Sequence, residues 1–179
     1  MEEVVKLLEE GRHVEFVEQL NDLEDNIRDA RRNRNKSLEE ELKREKRKIM
    51  EWCGNYVKNK EVPLQEQELV DLSCVLGVHL VKSRGLKTTQ IRKVLEKFNE
   101  IEGRYKKDMK NFKRADVIKL KPVLAYTSAR NEQSRELVRV LDNSINKIRD
   151  GEEGFEDFEK ICEFLRGVVA YHRLAGGSD

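Results

Sequence analysis

Gly85-Leu86-Lys87-Thr88-Thr89-Gln90-Ile91-Arg92-Lys93 holds a helix stop, a helix start and three cations in nine residues. Gly85 suits the left-handed cap that closes a preceding helix. Thr88 or Thr89 can open the next one, its hydroxyl accepting a hydrogen bond from a first-turn N–H. Ile91, Val94, Leu95, Phe98 and Ile101 then recur at helical spacing and form one apolar face. Lys87, Arg92, Lys93 and Lys97 lie off that stripe or at its edge. A helix apolar on one side and cationic on the other suits a polyanionic partner.

Working upstream, Leu64 to Val81 is the most apolar part of the chain, with Leu69, Val70, Leu72, Val75, Leu76, Val78, His79 and Leu80. A helix apolar over so much of its circumference belongs at the centre of a core. Lys58-Asn59-Lys60-Glu61-Val62-Pro63 precedes it and reads as a boundary, because Pro63 disfavours helix at the residue before it. Residues 1–61 therefore read as an N-terminal helical extension and 62–179 as the main domain. The extension carries a narrow stripe of Val14, Val17, Leu20, Leu23, Ile27 and Ala30, like a coiled-coil seam. Arg31-Arg32-Asn33-Arg34-Asn35-Lys36 interrupts it. Ser37 with Glu40 makes a capping-box pattern before a second amphipathic run of Leu38, Leu42, Ile49, Met50, Cys53, Tyr56 and Val57. The extension reads as a helical hairpin or one bent helix.

Downstream, a basic segment with Arg104, Lys106, Lys107, Lys110, Lys113 and Arg114 follows the helix that begins near Thr88. Asp116 is placed to cap a short helix, and Pro122 either kinks that helix or starts the next. A helix is predicted over 132–149, broken by Gly151 and Gly154. A last helix carries Phe155, Phe158, Ile161, Cys162, Leu165, Val168, Val169 and His172. With only two prolines in 179 residues, the whole chain reads as all-α.

The overall net charge of +1 hides a local excess. Residues 82–121 carry 14 basic and 5 acidic side chains, net +9, while 1–62 carry 14 and 16, net −2. Closely spaced cations suit phosphates, whose neutralisation releases counterions and makes binding salt-dependent. Candidate phosphate contacts follow from position. Lys87 stands at the positive end of a helix dipole. Arg92 and Lys93 flank Ile91. Lys119 and Lys121 lie on either side of Leu120. Arg130 and Arg135 bracket a helix start, and Arg166 and Arg173 project from the last helix about two turns apart. Reversing Arg92 and Lys119 together is expected to weaken binding of a phosphate polyanion and to flatten its salt dependence. Tyr126 and Tyr171 sit on apolar faces and read as core residues with wet hydroxyls. His79 and His172 likewise read as core histidines, and Trp52 as packing the extension or an interface.

Catalytic and metal signatures are not evident. Cys53, Cys74 and Cys162 are odd in number, far apart and set among apolar residues, as expected for reduced core thiols. Glu10-Gly11-Arg12-His13 has the spacing of half a di-iron motif without its second copy. His13, His79 and His172 offer no metal spacing, and no phosphate-binding glycine loop is found. No cofactor and no enzymatic activity are expected. Glu2 and Glu3 stand where a signal peptide would be cationic, and no apolar run spans a bilayer, so a cytoplasmic protein without membrane attachment is expected.

Three short motifs, in this order, carry a family resemblance: Thr88-Thr89-Gln90-Ile91-Arg92, Lys121-Pro122-Val123-Leu124-Ala125-Tyr126 and Val169-Ala170-Tyr171-His172-Arg173. With Ala129-Arg130 between them and a closing Gly176-Gly177, residues of about 64–177 resemble the small subunit of type III-A (Csm-type) CRISPR effector complexes. Residues 1–60 have no counterpart in that resemblance. It implies a bundle of about five helices that binds RNA backbone without catalysis and serves antiviral or anti-plasmid defence. The implied partners are crRNA and target RNA, the repeated backbone subunit and further copies of the chain, with a homodimer in isolation as one arrangement. The rival expectation is a helical adaptor that self-associates through residues 1–60 and does not bind RNA.

Overall fold

From Leu72 to Leu80 every side chain is buried, and this run forms the middle of a central helix. The computed structural model describes residues 2–62 and 65–179. In chain order its α-helices are α1 (Glu2–Glu9), α2 (His13–Arg32), α3 (Lys36–Val57), α4 (Glu66–Lys82), α5 (Thr88–Tyr105), α6 (Arg114–Ile118), α7 (Leu120–Arg130), α8 (Arg135–Ile145) and α9 (Gly151–Leu174). Single 3-10 turns occur at Met109–Asn111 and Glu132–Ser134. The described residues hold no strand, so the all-α class is correct. Among the described residues the main domain has six α-helices rather than about five, the extra one being the five-residue α6.

α9 is the principal neighbour of α4. The two backbones approach so closely at Gly77 that a Cβ there would stand 2.9 Å from both the His172 nitrogen and the Val168 carbonyl oxygen. α5 and the segment that follows it also pack on α9 through aromatic rings. Phe98 stacks on Phe158 with ring centres 5.7 Å apart, and Phe112 meets Phe155 edge-on at 5.6 Å. Such pairs contribute about 0.5–1.5 kcal/mol beyond their buried area. At the end of α4, Gly85 adopts φ +64, and Leu86 N–H donates to the Leu80 carbonyl at 3.0 Å, as its sequence position predicts.

The extension is a hairpin of α2 and α3, preceded by α1, and it lies on the main domain. Phe16, Val17 and Leu20 of α2 and Ile49, Cys53 and Val57 of α3 are at most 2% exposed and belong to the same core as α4 and α9. Polar contacts fasten it. The Glu24 carboxylate of α2 accepts from Lys46 of α3 and from Lys82 of α4, each at 2.5 Å. Burial opposes ionisation of Glu24, yet the two ammonium groups hold it below the usual carboxylate range. The His13 ring reaches Asp71 of α4 at 2.6 Å. The predicted boundary at Pro63, together with Leu64, lies outside the described residues.

Several local expectations change. Val14 is 51% exposed, and Phe16 takes its place in the core. The α2–α3 turn passes through Arg34 at φ +54, which leaves Asn35 rather than Ser37 at the helix entrance; Asn35 Oδ1 accepts from Leu38 N–H at 3.2 Å. Asp116 lies inside α6, whose start is instead held by Asp150 Oδ1 accepting from Arg114 N–H at 2.7 Å. The predicted 132–149 helix is a 3-10 turn followed by α8 ending at Ile145. Gly154 lies within α9 rather than breaking it; a Cβ there would collide with the Arg149 backbone. Pro122 falls in the first turn of α7, where a missing N–H costs little.

Candidate nucleic-acid interface

Two of the three sequence motifs meet at the start of α5. Lys87, not a threonine, is the residue before the helix, and Gln90 Oε1 accepts its backbone N–H at 3.2 Å. The Thr88 hydroxyl is engaged elsewhere, 3.1 Å from Nδ1 of the fully buried His172. His172 Nε2 lies 2.8 Å from the Leu86 carbonyl, so it is the nitrogen that donates, and Nδ1 then accepts from Thr88. Burial pushes the imidazole below its ordinary range, while the Leu86 bond pulls it back up in part. The core assignment of His172 therefore stands. His79 is also buried, with Nδ1 3.2 Å from the Ser83 hydroxyl.

The chain then folds its tail over the same spot. Thr88 N–H donates to the Ser178 carbonyl at 2.8 Å. Asp179 faces two cations, with Arg92 at 3.4 Å and Arg173 at 3.1 Å. This edge of α5 and α9 therefore carries its own anion.

The third motif shapes a different surface. Leu120 and Leu124 of α7 are buried, whereas Val123 is 41% and Tyr126 62% exposed. Tyr126 is therefore not a core residue, in contrast to the expectation from its apolar neighbours. Tyr171 is half-buried against the His13 ring, 5.9 Å between centres, and Trp52 is half-buried beside Tyr56 at 5.3 Å. Between α5 and α7 runs a groove of about 510 Å³ lined by Lys93, Lys97, Val123, Tyr126 and Arg130, with Glu96 its one acid. The Arg130 guanidinium lies 5.7 Å from the Tyr126 ring centre and donates to its hydroxyl at 3.1 Å.

The nine predicted phosphate contacts are all exposed or half-buried, but they fall into two sets. Six face carboxylates: Arg92 and Arg173 as above, Lys119 on Asp116 at 2.7 Å, Lys121 on Asp142 at 2.9 Å, Arg135 on Glu132 at 2.7 Å and Arg166 on Glu102. Asp116 also accepts from Tyr105 and faces Arg104, and Lys119 and Tyr105 together hold its carboxyl at about 2. Lys87, Lys93 and Arg130 have no acidic partner among the described residues. The same is true of the exposed Lys106, Lys107, Lys110 and Lys113 between α5 and α6. Those four belong to the basic segment legible in the sequence, yet position alone did not single them out as contacts. Lys97, a groove residue that its sequence position also does not single out, faces Glu100 at 2.7 Å.

The three cysteines are buried free thiols, and burial pushes Cys53 up to about 12 and the other two higher still, so none is a thiolate at neutral pH. Among the described residues no three His, Cys, Asp or Glu side chains converge as a metal site, and no helix is long and apolar enough to cross a membrane. The arrangement is suited to holding an extended anion.

The sequence profile described as Csm2 Type III-A matches residues 64–178, which spans all three motifs and α4 to α9. No curated protein and no solved structure matches the chain. The match covers well over half of the sequence and begins just after the extension ends. The chain thus belongs to the Csm2 Type III-A family, the small subunits of type III-A CRISPR complexes.

Proposed function

We propose that the chain is a non-catalytic, RNA-binding subunit of a type III-A CRISPR ribonucleoprotein in the cytoplasm, and that it contacts target RNA or the guide–target duplex through the α5–α7 surface. The observation that carries this reading is the set of acid-free cations, Lys93 and Arg130 in the groove and Lys106, Lys107, Lys110 and Lys113 in the segment between α5 and α6. Contacts to phosphate hold position without reading sequence. That suits a subunit that must accept any guide, where base pairing does the discrimination. Its partners on this reading are crRNA, target RNA, the backbone subunit and further copies of itself.

A self-associating adaptor is less well supported. The apolar face of the extension that would drive it is largely covered by α4 and α9 within the same chain. The test is fluorescence anisotropy of the full-length protein with a labelled single-stranded RNA across a salt series. Binding that weakens linearly in log–log form supports the proposal, with a slope near −0.7 per phosphate contact. No binding at low salt, accompanied by concentration-dependent self-association, would instead favour the adaptor.

A further inference from the structure

The exposed face of α7 has no role in the core. Val123, Tyr126, Thr127 and Arg130 recur at i, i+3, i+4 and i+7, so they form one stripe along the groove, while Leu120 and Leu124 face inward. A tyrosine 62% exposed is a large apolar surface left in water, and its ring lies beside the guanidinium of Arg130. Across the groove stand Lys93, without an acidic partner among the described residues, and Lys97, which faces Glu100 at 2.7 Å; the two are one helical turn apart on α5. An aromatic ring and a guanidinium plane with ammonium groups opposite are what a nucleobase and its flanking phosphates require.

We propose that Tyr126 and Arg130 form a stacking platform for an unpaired RNA base, with Lys93 and Lys97 holding the adjoining phosphates. This rests on the RNA-binding reading above and adds a base contact to it. Stacking is indifferent to sequence because every base has a π-face, so it is compatible with a subunit that meets many targets. The groove suits RNA better than a neutral peptide because its cations outnumber its acids by three to one.

The test uses the full-length protein, a labelled oligouridylate and the same strand made abasic. The wild type is expected to bind the base-bearing strand about tenfold more tightly than the abasic one. Tyr126→Ala should erase that preference while leaving the salt slope unchanged, and Tyr126→Trp should keep it. Equal affinity of the wild type for both strands overturns the platform and leaves the phosphate contacts standing. Failure to bind either strand at low salt overturns the RNA reading and the platform together. Loss of a dimer in sedimentation on Tyr126→Ala, with the base preference intact, assigns the groove to a second copy of the chain and likewise overturns it.

Discussion

Arg92 and Lys93 are neighbours in sequence and lie in opposite electrostatic settings. Arg92 turns toward the α5–α9 edge, where Asp179 holds it together with Arg173. Lys93 turns into the α5–α7 groove, whose one acid is Glu96. The +9 excess of residues 82–121 does not distinguish them. What separates them is where the fold places carboxylates from distant parts of the chain: Asp179 on the tail, Glu102 against Arg166, and Asp142 against Lys121. An exposed ion pair is worth little, typically under about 1 kcal/mol, so the edge cations are not locked away. Each must still exchange a carboxylate for a phosphate, as must Lys97, which faces Glu100, whereas Lys93 and Arg130 need not.

The largest expected effect removes both regions at once. Phe158 is fully buried and stacks on Phe98, joining α9 to α5. Phe158→Ala should cost about 3–5 kcal/mol of stability, read as a shift in the denaturant midpoint, and should weaken RNA binding as α5 loosens. A loss below about 1 kcal/mol would mean that α5 is held by something other than this stack.

Separating the regions comes next. Lys93→Glu with Arg130→Glu should lower single-stranded RNA affinity on the order of 100-fold at low salt and reduce the salt slope by about 1.4. Both sites are on the surface, so stability should move by no more than about 0.5 kcal/mol each. A normal melting curve with unchanged RNA affinity would remove the groove from the interface.

A smaller change should work in the opposite direction. Asp179→Asn withdraws the carboxylate shared by Arg92 and Arg173. RNA affinity should rise by about threefold as the two weak surface pairs are released, with a steeper salt slope. A decrease would mean that the tail helps to form the interface instead of competing with it.

The smallest effect concerns pH. Burial holds both His172 and His79 below the ordinary imidazole range in the folded protein. As pH falls through about 6.5 the unfolded chain takes up protons that the folded chain refuses, so stability declines below that point and levels off only beneath the folded-state values. His172→Gln should flatten this decline in a urea series between neutral and mildly acidic pH. A curve that stays as steep would place the titration elsewhere.

The frame was legible in the sequence for a simple reason. Ile91, Val94, Phe98 and Ile101 are all buried as their spacing demanded, and the apolar run of α4 became the centre of the core. Helix entrances were harder to read. Thr88, Ser37 and Asp116 are all residues that favour caps, and in each case a tertiary contact or a neighbouring turn decided otherwise. The exposure of Tyr126 was invisible for a related reason. Pro-Val-Leu-Ala-Tyr has apolar residues enough for either face, and only the position of α7 beside α5 shows which side is covered. The basic region as a whole was legible from charge density. Its division into paired and open cations was only partly legible: Lys119 with Asp116 and Lys97 with Glu100 are i,i+3 neighbours, whereas the partners of Arg92 and Lys121 lie far away in sequence, which no local pattern reports.

The central claim is that the groove, more than the tail-covered edge, carries the RNA contact. The most direct measurement sets Lys93→Glu/Arg130→Glu beside Arg92→Glu/Arg173→Glu in the full-length protein and compares their affinities for single-stranded RNA across the same salt series. The account predicts the greater loss of affinity and the flatter slope for the groove pair. A greater loss for the edge pair, or equal and unchanged affinity for both, would contradict it.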